Sequence, residues 1–163
     1  ICIGSSDVDC VEPDPDILAK ISAQVPDDAT SLTSPLLRAR RTFAALPGFA
    51  RADCEPAFAE QDFGAWEGQI YEHIDTDWSS PATLRPPGGE SFADVVTRVH
   101  EAIDRIDAPE LLVVAHAGPI RAAVAKALDL TPERALALQI QPLSLTCVVR
   151  HGHGWSVEFV NRL

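Results

Sequence analysis

Apolar residues recur along the chain with two different periods. Ile17, Leu18, Ile21 and Val25 keep helical spacing until Pro26-Asp27-Asp28 interrupts it, so a helix is expected over this stretch. The run PLLRARRTFAAL, residues 35–46, predicts a second helix with Ser34 as N-cap, Pro35 in its first turn and Pro47-Gly48 as its stop. SFADVVTRVHEAIDRI, residues 91–106, predicts a long helix that Ser91 and Asp94 open as a capping box. GPIRAAVAKAL, with Pro119 in its first turn, and TPERALAL, capped by Thr131, predict two more. Between them lie strand signals: ATSLTSP, a short one at ADCEP, and the unbroken apolar run ELLVVAH, whose continuity suits a parallel strand buried on both faces. SLTCVVRHGHGWSVEFV reads as strand, glycine turn and returning strand. This order predicts an α/β fold: a three-layer α/β/α sandwich with a mostly parallel central sheet and a C-terminal antiparallel hairpin. Residues 1–163 are expected to form a single domain. Residues 70–90, rich in Pro, Trp, Asp and Ser, are expected to be an irregular, lid-like insertion.

Composition narrows the partners. Hydrophobic residues make up 46% of the chain and charged residues 23%, enough for a core without staples. The net charge of -11 argues against nucleic acid and anionic membrane as partners, because both require a basic face. A small phosphorylated metabolite stays compatible, since a few local Arg side chains outweigh a distant field. Cys2, Cys10, Cys54 and Cys147 form no C-x-x-C pair, so no zinc spacing is present. They read as reduced thiols of a cytoplasmic protein. No apolar run approaches a membrane span.

Three stretches carry candidate chemistry. In VVAHAGPIR, His116 ends a strand just where a helix begins, and helix N-termini offer free N–H groups to anions; a His that merely closes a strand is the equal alternative. In SPLLRARRTF, Arg38, Arg40 and Arg41 crowd a helix start, and Arg suits bidentate phosphate binding, although charge runs are usually solvated faces. In FAEQDFGAWEG, Glu60, Asp62 and Glu67 surround an aromatic-glycine turn. A carboxyl group there would protonate a leaving oxygen if burial raised its pKa. Asp62 and Glu67 are expected to be solvated, and Phe63 and Trp66 to pack the loop.

Taken together, SPLLRAR, EQDFGAWEG, PPGGES and VVAHAGPIR resemble the histidine phosphatase superfamily, in its phosphoglycerate-mutase-like branch, and most of all small phosphatases of the α-ribazole phosphatase type. The resemblance implies a cofactor-free phosphomonoesterase working through a phosphohistidine. It implies that Arg38 clamps the phosphoryl oxygens, that His116 binds the same group, and that Glu60 is general acid and then base. The N–H groups of Ala117 and Gly118 become candidate oxyanion donors, and Arg40 and Arg41 stay on the helix surface. A phosphoglycerate-type mutase is the less favoured activity, because Arg85 is the only Lys or Arg in residues 70–90. Trp66, Tyr71 and Trp78 are expected to pack the lid rather than to stack on substrate.

The resemblance also implies a nucleophilic His in an Arg-His-Gly motif on a first strand. Arg150-His151-Gly152 spells that motif at the opposite end, where it reads more simply as a hairpin turn. The sequence opens Ile-Cys-Ile-Gly and contains no Met. About fifteen to twenty earlier residues are therefore expected, an apolar strand ending in Arg-His followed by a loop. Should nothing precede Ile1, a non-catalytic domain that binds phosphorylated ligands becomes the better reading.

Overall fold

The computed structural model describes residues 1–163. In chain order the elements are α1 (Pro15–Ser22), β1 (Thr30–Thr33), α2 (Leu37–Ala44), β2 (Asp53–Cys54), α3 (Phe92–Arg105), β3 (Leu111–Val114), α4 (Ala117–Leu128), α5 (Pro132–Ala135), β4 (Leu145–His151) and β5 (Gly154–Arg162), with three single 3-10 turns at 56–58, 64–66 and 71–73. β1, β2 and β3 form a parallel sheet in the order β2-β1-β3, with Leu32 opposite Val113 and Asp53. Alternation along the strands sends their side chains to two cores. Leu32 and Val113 pack with Phe92, Val95, Val99 and Ala122 from α3 and α4. Leu112 and Val114 pack with Leu18, Ile21 and Phe43 from α1 and α2. The fold is therefore α/β, with helices covering both faces of the sheet.

β4 and β5 form a separate antiparallel ladder, with a register irregularity between Leu145 and Val148. Arg150 and His151 end β4, His151 pairs with Gly154 across the turn, and its Nε2 lies 2.7 Å from Ser156 Oγ on the exposed surface. The Arg-His-Gly spelling is thus a hairpin end. The hairpin packs on α4 but shares no ladder with β3. Consequently β3, expected to be buried on both faces, is only partly buried outside Leu112, and one of its edges is unpaired. A groove of about 890 Å³ runs along that edge, lined by Leu112, Val113, Val114, Leu143 and Leu145.

Local sequence accounts for most helix ends. Asp14 caps α1, Thr131 caps α5, and Ser91 with Asp94 forms the reciprocal capping box of α3. The starts of α2 and α4 have no side-chain cap. In α2 the first helical residue is Leu37 and the cap position is Leu36, whose apolar side chain makes no cap hydrogen bond. Ser34 instead accepts from Leu36 N–H at 3.2 Å and belongs to the site described below. Residues 70–90 are irregular, as their Pro and Gly content requires. Ser91→Ala removes one side of the capping box and is expected to destabilise the fold by about 1 kcal/mol in urea denaturation; an unchanged midpoint would show that the box contributes nothing.

Candidate functional site

Glu60 stands at the centre of the site. Its Oε1 accepts from its neighbour Gln61 N–H at 2.9 Å, and its two oxygens lie 3.1 and 3.3 Å from Gly118 N. Gly118 is in the first turn of α4, so the carboxylate occupies one of the unpaired N–H groups of that helix start. A Cβ at 118 would collide with Glu60 Oε1, so any larger residue there forces that carboxylate to move. The Gly118 N–H expected as an oxyanion donor is therefore engaged with Glu60, and it acts by positioning that carboxylate. Burial raises the Glu60 pKa, against the opposing pull of the two N–H groups and of Arg121 and Arg38.

Arg98 on α3 fixes the backbone that carries Glu60. Its guanidinium donates to Ala57 O at 2.6 Å and Ala59 O at 2.9 Å, and it grips Glu90 through Nε (3.1 Å) and a terminal nitrogen (2.7 Å). Glu90 in turn accepts from Asp62 N–H, and its carbonyl accepts from Gln61 Nε2. The PPGGES loop and the FAEQDFG loop are thereby locked together. Gly64, at φ +50°, serves the same junction: a Cβ there would meet Pro87 O and Gly89 N. The sequence singled out neither Arg98 nor Glu90. Their eight-residue separation joins a loop to a helix, and no short-range pattern marks such a pair.

His116 ends the β3 connection and is the N-cap residue of α4. Its Nε2 lies 2.7 Å from the fully buried Ser34 Oγ, which sits beyond the tip of β1. Burial first, and then the charges of Arg38 and Arg98, push its pKa down to about 3, so the unliganded imidazole is neutral. Arg38 reaches the same place from α2. It donates to Gly4 O at 2.7 Å and Ser6 O at 2.9 Å, which leaves three of its five N–H donors free. Arg38, Glu60, His116 and Ala117 all line one groove, with Ala117 N–H, the first of α4, lacking any intrahelical acceptor. Arg40 is exposed and Arg41 pairs with Asp9 at 2.6 Å, both outside the site.

Glu67, expected to be solvated, is a structural acceptor. It takes hydrogen bonds from Ser5 N–H (2.7 Å), Ser5 Oγ (2.8 Å), Ser6 Oγ and Phe63 N–H (3.2 Å). Partial burial works to raise its pKa, but the donors from Ser6, Ser5 and Phe63 outweigh it and hold the carboxylate low. Asp62 likewise accepts from Gly64 N–H at 2.7 Å. Nowhere do three His, Cys, Asp or Glu side chains gather as a metal site would require. All four cysteines are free, and no helix is long and apolar enough to cross a membrane.

Residues 16–163 match the family described as the histidine phosphatase superfamily (branch 1). The bifunctional protein Rv2228c of Mycobacterium tuberculosis is 34% identical over an alignment 148 residues long, which covers 82% of this chain and 41% of that protein. The chain thus spans less than half the length of the curated relatives it matches. Among solved structures, a mycobacterial glucosyl-3-phosphoglycerate phosphatase in complex with VO3 superposes with a TM-score of 0.80 at 24% identity, covering 99% of this chain and 90% of that one. An Escherichia coli protein proposed as an alpha-ribazole-5'-P phosphatase gives a TM-score of 0.85 at 17% identity, covering 99% and 87%. These two likenesses establish the shared fold.

Two expectations follow from the geometry. Because the folded state refuses a proton at His116 that the unfolded chain accepts below pH 6.5, stability falls as the pH drops from 6.5 toward 3. The loss between pH 7 and pH 5 is expected to be on the order of 1–2 kcal/mol and to disappear in His116→Asn. An NMR titration of His116 with an inflection between pH 5 and 8 would refute it. Gly118→Ala is expected to displace Glu60 while leaving circular dichroism unchanged, visible in a crystal structure as loss of the carboxylate contact to residue 118.

Proposed function

Because the chain belongs to the histidine phosphatase superfamily (branch 1), we propose that it is a phosphomonoesterase acting through a phosphohistidine on a small phosphorylated metabolite. The observation that carries this reading is the meeting of a guanidinium, a neutral imidazole and a carboxyl group of raised pKa around one groove at the carboxyl ends of parallel strands. The free donors of Arg38 and the N–H of Ala117 would bind phosphoryl oxygens. The dianion would supply the negative charge that unliganded His116 lacks, drawing a proton onto its ring. A nucleophilic imidazole attacks phosphorus, the bond to the ester oxygen breaks, and Glu60 passes its proton to that oxygen. Glu60, now a carboxylate, takes a proton from water as the water oxygen attacks phosphorus; the P–N bond breaks and phosphate leaves.

His116 is the only imidazole in this groove. His73, His151 and His153 are exposed, and His100, whose Nε2 is 2.9 Å from Ala122 O, does not line the groove. We assign the nucleophile to an apolar strand preceding Ile1 and ending in Arg-His. The groove between β3 and β4 supports this: it offers an unpaired parallel edge and apolar walls. Without such a strand the same pocket would bind phosphorylated ligands and not turn them over. A hydrolase is favoured over a mutase because Arg85 is tied to Asp94 (2.6 Å) and Gly89 O, leaving no free cation in residues 70–90 to hold a second anionic group. Four free thiols suit a reducing, cytoplasmic setting.

The polypeptide carrying its upstream residues is expected to release phosphate from p-nitrophenyl phosphate in the presence of chelator, with His116→Ala abolishing turnover. Strict dependence on a divalent ion would overturn the mechanism. Glu60→Gln is expected to cut kcat/KM about 10²–10³-fold for an alkyl phosphate and much less for p-nitrophenyl phosphate, whose leaving group needs no proton. Equal losses on both esters would remove Glu60 from the acid role.

A further inference from the structure

A second cavity, of about 350 Å³, opens on the other side of Glu60. Glu60 and Ala117 line both this cavity and the groove that holds Arg38 and His116, so the two spaces meet at the proposed general acid. The side chain that protonates a leaving oxygen faces the group to which that oxygen belongs. This places the leaving alcohol of the proposed reaction in the smaller cavity, and its lining then reads as a statement about that alcohol.

The lining is aromatic and almost uncharged. Trp66 and Trp78 have ring centroids 5.6 Å apart, Tyr71 lies 6.4 Å from Trp78, and Phe63 stands edge-on to Tyr71 at 6.1 Å. Pro81 and Leu84 close the wall. These rings do not simply pack the 70–90 segment, as their sequence context led us to expect. Tyr71 is 41% exposed and Trp78 is 43% exposed, which leaves apolar ring surface open beside the cavity. Besides Glu60 the lining contains one charged side chain, Arg121 of α4. Its Nε is anchored on Leu138 O at 2.7 Å, its sole hydrogen bond to the protein, so the terminal N–H groups keep their donor capacity.

We infer that this cavity selects phosphate esters whose alcohol carries a flat, uncharged ring system, held against Trp66, Tyr71 and Trp78, with Arg121 donating to an acceptor on that alcohol. The volume is at the low end for ligand pockets, which suits one ring system with its sugar and excludes a polymer. A compact polyanion such as a phosphorylated glycerate leaves the aromatic wall without a partner and offers a second charge to a cavity with a single cation beside a carboxyl group. The inference rests on the phosphatase reading, and the experiment separates the two.

The active polypeptide is assayed on a nucleoside 5'-monophosphate, as the ring-bearing ester, and on glycerol 3-phosphate and 3-phosphoglycerate, as ring-free ones. The ring-bearing ester is expected to be preferred at least tenfold in kcat/KM. Trp78→Ala is expected to lower kcat/KM about tenfold for that ester, mostly through KM, and less than twofold for glycerol 3-phosphate, with Trp78→Phe restoring most of the loss. Hydrolysis of the ring-free esters at equal or higher efficiency, or equal losses on both substrates in Trp78→Ala, would overturn the inference and leave the phosphatase standing. Failure to hydrolyse any of the three esters, or p-nitrophenyl phosphate, would overturn both.

Discussion

The partly buried contact between the Glu60 carboxylate and the N–H of Gly118 is the constraint around which this molecule is arranged. A carboxylate withdrawn from water is costly unless donors surround it. Here the start of α4 supplies one donor and Gln61 supplies another. The balance is left short of full compensation, and the pKa rises. That residual imbalance is what turns a structural acceptor into a group able to hold a proton. The arrangement requires the helix to begin where it does and residue 118 to lack a Cβ. It also requires the 57–62 loop to be held rigidly, which is the work of Arg98.

The acidity of the chain takes on a different meaning once the contacts are known. Glu67, Glu90, Asp62 and Asp94 are not a diffuse solvated shell. Each accepts backbone or hydroxyl donors that fix a loop, and Glu90 also binds Arg98 in a bidentate pair. A loop lacks ladder partners, so its N–H groups must find acceptors elsewhere, and carboxylates are the strongest acceptors available. The long irregular segments around the site therefore demand acidic residues. These four carboxylates are part of the net charge of -11 and serve the backbone around the site.

Much of this was legible beforehand. Periodicity located every helix, and the capping residues Ser91, Asp94 and Thr131 behave as their types dictate. The three side chains singled out for chemistry, Arg38, Glu60 and His116, do line one groove. What escaped the sequence has a common physical character. Ser34 reads as a helix cap because Ser before Pro and an amphipathic run is the local signature of one. Its partner His116 is 82 positions away, and only the parallel register of β1 and β3 brings them together. Arg98, Glu90 and Glu67 act through similar non-local pairings. The open aromatic surface at Tyr71 and Trp78 was also invisible, since composition cannot tell a ring that seals a loop from one that faces a cavity.

The sheet itself explains why the site stands at this end of the molecule. β1 and β3 run parallel and in register, so their carboxyl ends finish at one level, Thr33 opposite Val114. The residues just beyond, Ser34 and His116, are thereby brought within hydrogen-bonding distance without any direct sequence relation. Each helix that follows a strand starts at the same level and aims its N–H groups into the same space, α2 bringing Arg38 and α4 bringing Ala117 and Gly118. Any further strand laid parallel against the free edge of β3 obeys the same geometry: its carboxyl end also finishes beside His116, and the first residues past that end enter the groove. A nucleophile delivered in this way needs no long loop to position it. Its reach is set by the ladder spacing of about 4.8 Å between neighbouring strands, and its orientation by the same register that aligns the rest of the site.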